Sequence, residues 1–574
     1  MRICKRRTMR ALLIQVVALV SGLPLFGASK KLAADIPTTG NVNVIIRYAS
    51  PPVAANHASV KAKGGSLKQN LNSVNSAVYS VPAAALESLA LDPQVIYISP
   101  DRKVAGRLEY ANPTVHADVA FNAGYDGTGI GIAEIDSGVS THPDLNGAHG
   151  GRRVVYSQNF VPGASDNDDY GHGTHVAGIL AGDGSDSTKP NDTRTFRGMA
   201  QNASIVSLKV LDAMGTGSDS LVIAAIEQAV ALKAVYNIRV MNLSVGRPVY
   251  ESYRQDPLCL AVEYAWKNGI VVVVAAGNEG RDSFSGNNGY GTVGSPGNDP
   301  WVITVGAMND ESTVDRSDDR IASYSSKGPT GIDHIVKPDL IAPGNRIVSL
   351  ATPSSVLYSG AASAGQTIPA SYYGPGMGTS KSYFRLSGTS MAAPMVSGAA
   401  SLLLQKDPTL TPDQVKARLM LTATKTFPAS SSVTDPVTGT TYTSQYDIFT
   451  VGAGYLDIRA ALNDTHLAAG SADSPTALRD PLSGKVTLAD TNALNGSIGL
   501  PTVWNSSTVW GTSTVWGDST VWGDSTVWGD STVWGDSTVW GDSTVWGDST
   551  VWGDSTVWDD STVWGDTLQL VGEI

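Results

Sequence analysis

The stretch Ile270-Val271-Val272-Val273-Val274-Ala275 is apolar at every position. A strand with one wet face alternates in polarity, whereas a continuous apolar run belongs in a parallel sheet covered on both sides. Gly129–Ile135 and Ile205–Leu208 read as further short strands, and they alternate with helical stretches such as Leu221–Val235. Met391–Gln405 is rich in apolar and small residues, the composition of a buried helix. Strands and helices alternating in this way predict an α/β fold, a doubly wound parallel sheet with helices on both faces.

Three junctions on this frame carry chemistry. The strand Gly129–Ile135 ends at Asp136-Ser137-Gly138, and Gly171-His172-Gly173-Thr174-His175 leads from a loop into a helix. Gly388-Thr389-Ser390-Met391-Ala392-Ala393-Pro394 opens the buried helix, which is expected to begin at Ser390. A serine at a helix N-terminus sits beside unpaired amides and the positive end of the dipole, which suits a nucleophile whose attack creates an oxyanion. An isolated Gly-Thr-Ser would equally suit an ordinary N-cap. Acyl transfer by serine also needs a base and a carboxylate to orient it. Asp136, His172 and Ser390 provide all three, in the chain order Asp, His, Ser.

With these residues the chain resembles the subtilisin-like serine proteases, the subtilases. The resemblance runs from about Val42 to Leu462 and is strengthened by Ser326-Lys327-Gly328-Pro329, Lys337-Pro338-Asp339 and Gly452-Ala453-Gly454-Tyr455. It implies Ser390 as nucleophile, His172 as general base and then acid, Asp136 as orienting carboxylate, and His175 as structural. It implies Asn278 as an oxyanion-hole donor beside the backbone N–H of Ser390; a turn residue after a strand is the plainer reading. An extended peptide substrate is expected between Ser244-Val245-Gly246 and Gly215-Thr216-Gly217. Gly294 is expected to leave the primary pocket roomy, giving broad preference leaning to large apolar residues before the scissile bond. Asp219 stands near the position where many subtilisins carry an aromatic lid, so an open, polar outer pocket is expected. Ala351–Lys381 is an insertion relative to compact family members and reads as a long irregular loop beside the cleft.

No cofactor is implied for the chemistry. Asp144 matches a family position that often ligates a structural calcium, and Asp183, Asp186 and Asp192 offer hard oxygen ligands nearby. An acidic, solvated loop is an equal reading of that segment.

The ends of the chain have their own logic. Basic residues from Arg2 to Arg10 precede the apolar run Ala11–Phe26 and the small residues Gly27-Ala28-Ser29, so residues 1–28 read as a secretory signal peptide. The run is short for a membrane span. The expected location is secreted: extracellular, periplasmic or cell-surface. Of the two cysteines, Cys4 falls in that leader, and Cys259 is expected to be buried and inert. Residues 40–110, with strands at Val42–Tyr48, Ala77–Val81 and Val95–Ile98 and a short helix at Ala83–Leu91, resemble the small α+β propeptide of subtilases. The resemblance implies an inhibitor that also templates a fold with slow, non-local sheet contacts; a permanent accessory domain is the alternative. Cleavage is expected within Val104–Asn112, at a bond such as Tyr110–Ala111. The peptidase domain then spans 111–462 and a linker 463–500.

Residues 501–567 form a hexapeptide-repeat tail, Ser-Thr-Val-Trp-Gly-Asp, followed by a C-terminal end at 568–574. Eleven of the thirteen tryptophans lie there, six residues apart from Trp504 to Trp564. On a helix that spacing turns successive tryptophans about 240° apart, while on a strand it puts all of them on one face. The tail therefore reads as extended. From Pro501 to the C-terminus the chain carries ten Asp, one Glu and no Lys or Arg, a charge of −11 out of the total of −12, so the remainder is near −1. A nearly neutral body excludes nucleic acid as a partner. The expected function is a secreted, self-processed, monomeric serine endopeptidase acting on proteins or peptides. The alternative is a surface-binding or structural protein whose repeat tail contacts carbohydrate or cell surface and whose protease domain serves maturation.

Overall fold

The computed structural model describes residues 31–33, 36–72, 75–100, 108–147, 151–282, 287–363, 366–435, 438–468, 470–479, 486–489 and 562–565. The expected signal peptide and all but one segment of the repeat tail lie outside these. The chain divides into two compact units at Val104.

The first unit holds four strands, β1 (Asn41–Tyr48), β2 (Ser66–Leu71), β3 (Ser76–Pro82) and β4 (Val95–Pro100), in the order β2-β3-β1-β4. All three pairings are antiparallel. In β1 the residues Val42, Val44, Ile46 and Tyr48 point inward in strict alternation, as one-sided burial requires. Helices Ala54–Ala62 and Leu86–Ala90 close that face with Val60, Leu86 and Leu89. Strand β2 was not among the expected elements, because its residues are exposed except for the half-buried Leu71 and carry no apolar alternation. Pairing with β3 at the sheet edge creates it.

The second unit is an α/β fold. Its strands are β5 (Gly131–Asp136), β6 (Val154–Asn159), β7 (Ser204–Lys209), β8 (Thr216–Ser218), β9 (Ile238–Leu243), β10 (Val245–Gly246), β11 (Val271–Ala275), β12 (Ile303–Asn309), β13 (Arg320–Ile321) and β14 (Leu340–Pro343). The central sheet runs β13-β12-β11-β9-β5-β7-β6, with β14 also on β12. Every pairing is parallel except that of β13, an antiparallel edge. Strands β5, β11 and β12 are buried at every residue, which accounts for the unbroken apolar run of β11, while β5 buries Glu134 and Asp136 among its apolar residues. Two helix pairs flank the sheet: His172–Ala181 against Thr389–Lys406, and Asp219–Tyr236 against Pro257–Lys267. The chain order leaves β5 in one direction through β7 and β6 and in the other through β9 and β11. The carboxyl ends of β5 and β9 thus meet at the switch point where α/β sheets form crevices.

Two expectations are corrected. Residues 351–381 do not form an irregular loop. They contain the helix Val356–Ser363 and the strand Thr367–Pro369, which joins Ile347–Leu350 and Thr379–Leu386 in a separate antiparallel sheet. The buried apolar residues of the segment, Ala351, Leu357, Ala361 and Ile368, are too dispersed among Ser, Gly and Ala to give a visible period. The stretch 463–500, read as a linker, is built in part onto the unit. Thr476–Arg479 pairs with Val486–Ala489, Ala477 is buried, and Ser474 Oγ donates to the buried Asp339 at 2.5 Å.

Within the tail, Thr562–Gly565 is an extended strand lying between β8 and β10 and antiparallel to both. Among the described residues no helix is long and apolar enough to cross a membrane.

Candidate active site

Asp136 is the last residue of β5, and its carboxylate leaves the sheet toward the helix that begins at His172. Its oxygens lie 2.7 and 2.9 Å from His172 Nδ1, and both side chains are buried. The backbone N–H of Ser137 also donates to this carboxylate, at 2.7 Å. A carboxylate only accepts, so His172 Nδ1 carries the proton and Nε2 is the basic nitrogen.

Asp168 builds this pair and was missed by the sequence reading. It is buried and accepts from Ser137 Oγ (2.7 Å), the Gly171 N–H (2.7 Å) and the Thr174 N–H (2.8 Å). One carboxylate therefore ties the end of β5 to the first turn of the His172 helix, whose amides would otherwise be orphaned. A carboxylate four residues ahead of His172 was the available signal. Burial pushes its pKa up, opposed by these hydrogen bonds. Gly171 takes a left-handed φ of 96° at the N-cap, and a Cβ there would overlap Ser355 Oγ from the 351–381 segment. His175 faces inward, with Nε2 3.2 Å from the Ile347 carbonyl, and burial and the neighbouring His172 hold its pKa down at about 3. It is a neutral packing residue.

Ser390 is the second residue of the helix Thr389–Lys406, which starts one position earlier than expected and is buried from Thr389 to Leu404. Its Oγ donates to the Ser244 carbonyl at 3.4 Å, while Ser244 Oγ donates to the Ser390 carbonyl at 3.0 Å. Pro394 explains the second bond. Having no N–H, it cannot cap the carbonyl four residues back, and the Ser390 C=O takes a donor from outside the helix. Ser244 is held in turn by Asn242 Nδ2 at 3.1 Å, and Asn242 Oδ1 accepts from Ser397 Oγ at 2.8 Å.

Asn278 follows β11 and is buried. Its Oδ1 accepts from the Thr389 N–H at 2.9 Å, which fixes the orientation of the amide. The other end, Nδ2, is buried without a hydrogen-bond partner. An unpaired buried donor costs about 1–3 kcal/mol, and this one sits on the amide that is bonded to Thr389, the residue before Ser390.

Val245 and Gly246 form β10, Thr216 and Gly217 lie in β8, and Gly215 rests against the ring of Tyr170. Gly294 is occupied from behind: a Cβ there would approach the Arg247 carbonyl oxygen at 2.7 Å, in the bridge between Arg247 and Ser295. Its lack of a side chain is thus explained by backbone packing, independently of pocket size. Asp219 is ion-paired: both its oxygens take Arg247 Nε at 3.0 Å, and Arg247 also reaches Asp256 at 2.8 Å. Cys259 is buried with its thiol 3.3 Å from Asn298 Oδ1, and burial, followed by Asp299 and Asp256, pushes the thiol pKa up.

Asp144 does not fit a calcium ion. It is buried and already accepts from the Asp186 N–H (2.7 Å), Tyr383 OH (2.7 Å) and Ser185 Oγ (3.3 Å). Asp186 pairs with Lys189 and Ser382, and Asp192 accepts from the Lys189 N–H at 2.7 Å. Among the described residues no group of three or more His, Cys, Asp or Glu is arranged to hold a metal.

The sequence model of the Subtilase family matches residues 127–448. "Serine protease AprX" of Bacillus subtilis (strain 168) is 37% identical over 371 residues, covering 62% of this chain and 76% of that protein. "Subtilisin E" of the same organism is 35% identical over 371 residues, 64% of this chain and 80% of its own. An "Alkaline protease" of Alkalihalobacillus alcalophilus is 34% identical over 343 residues, 59% and 71% respectively.

Proposed function

The chain belongs to the subtilase family and is a subtilisin-like serine endopeptidase, and from that premise we propose that Asp136, His172 and Ser390 are its catalytic triad. Ser390 Oγ attacks the scissile carbonyl carbon as His172 Nε2 takes its proton, and Asp136 stabilises the resulting imidazolium. The developing oxyanion binds Asn278 Nδ2 and the backbone N–H of Ser390. His172 then gives the proton to the leaving amine, and water repeats the sequence to release the acid. The observation that carries this reading is the buried Nδ2 of Asn278, oriented by Thr389 and without a partner.

Extended peptides pair with Ser244-Val245-Gly246 on one side and Gly215-Thr216-Gly217 on the other, with Gly294 beneath the side chain before the scissile bond. Specificity is broad and leans to large apolar residues. The protein is exported through residues 1–28, and the N-terminal unit is an inhibitory propeptide that the enzyme removes itself within 104–112. A cut at Tyr110–Ala111 requires the helix Leu108–Thr114 to unwind, because Ala111 is buried in it.

Intact mass of wild type and Ser390→Ala, expressed side by side, tests the reading. Loss of the N-terminal unit in the wild type alone supports it, and identical processing of both proteins contradicts it.

A further inference from the structure

We propose that the C-terminal hexads are a built-in ligand of the substrate groove. The segment Thr562-Val563-Trp564-Gly565 is the central strand of a three-stranded antiparallel sheet whose outer strands are β8 and β10. Thr562 pairs with Ser218, Val563 with Gly217, and Trp564 with both Thr216 and Gly246. Gly565 pairs with Val245, and the next residue along that wall is Ser244, whose carbonyl accepts from Ser390 Oγ. The tail strand thus ends one residue short of the wall position that touches the nucleophile. This inference rests on the reading of these walls as peptide-binding.

The walls themselves argue for an occupant. Strands β8 and β10 are three and two residues long and, among the described residues, join no other strand than Thr562–Gly565. Short edges of this kind expose unpaired N–H and C=O groups and take an added strand readily. The sequence supplies one repeatedly. Thr-Val-Trp recurs in all eleven hexads, from Thr502 to Trp564, and β-branched and aromatic residues favour extended backbone. The period of six is even, so on an extended backbone every hexad would carry its Trp on the same face. Four residues of ladder bind weakly as a free peptide, but a tether raises the effective concentration to the order of 1 mM, and repeated registers raise it further. The tail therefore competes with substrates for the groove and belongs to the same ligand class, a neutral extended segment of β-branched and aromatic residues.

The test compares the full chain with its native tail and the full chain in which the Val of all eleven hexads is replaced by Pro. Proline removes an N–H and fixes φ, so it breaks the ladder without altering charge. Both proteins are treated with a small serine-directed sulfonyl fluoride during purification, and amide hydrogen exchange is read at Thr216–Ser218 and Val245–Gly246. The inference expects exchange roughly tenfold slower with the native tail, independent of protein concentration, and unchanged exchange in β5 and β11 as the folding control. Equal exchange in the two proteins overturns it, and protection that grows with concentration assigns the strand to a second copy and overturns it in this form. Untreated samples separate this from the enzymatic reading. If neither protein turns over a p-nitroanilide peptide while protection persists, the peptidase assignment fails and the tail contact stands. If both turn it over with the same KM and show the same exchange, the peptidase stands and the tail contact fails.

Discussion

Asn278 and Glu134 are both buried polar residues with an unpaired end, yet they lead to different expectations. Asn278 is oriented by Thr389 with Nδ2 buried and unpaired, and in the proposed mechanism that donor meets the oxyanion, so its loss should affect turnover. Asn278→Ala is expected to lower kcat by about 10²- to 10³-fold with little change in KM, which steady-state kinetics on a short peptide will show. Glu134, on β5, has neither carboxylate oxygen paired, and burial, followed by Asp136 and Asp168, pushes its pKa well above the usual 4.5. A folded value above the unfolded one means that the folded chain holds this proton to higher pH than the unfolded chain does. Its contribution to stability is therefore complete below pH 4.5 and lost as pH rises through the folded value, with a slope of at most about 1.4 kcal/mol per pH unit. Glu134→Gln should match wild type in Tm below pH 4.5 and exceed it increasingly as pH rises above 4.5, as thermal melts across a pH series will show. The positions of the three central residues were legible because each lies in a short local motif. The state of the Asn278 amide was not, since it depends on a partner 111 residues away in sequence.

At the scale of elements, the parallel strands were legible because two-sided burial leaves an unbroken apolar run, as in β11. Strand β2 and the 351–381 segment were not, because their order comes from pairing and from a few dispersed contacts. That segment also bears on the site. Val356 N–H donates to the Asp169 carbonyl and Leu357 N–H to that of Tyr170, at 3.0 Å each, so it braces the loop ahead of His172. Gly171→Ala should therefore cost about 1–3 kcal/mol through overlap with Ser355, besides about 1–2 kcal/mol for its left-handed backbone. Adding Ser355→Gly is expected to recover the overlap part and leave the backbone part. Denaturant melts of the single and double variants will separate the two.

For the whole molecule, charge and sequence period identified the tail as a separate module and favoured extended backbone. They gave no hint that one hexad pairs with β8 and β10, because register between distant segments leaves no local trace. The account of the molecule as a self-processing serine peptidase rests on the reactivity of one hydroxyl. A serine-directed phosphonate, followed by peptide mapping, measures it directly. The account predicts a single adduct on Ser390, absent in Ser390→Ala and formed far more slowly in His172→Ala. An adduct on another serine, or labelling of Ser390 undiminished in His172→Ala, would contradict it.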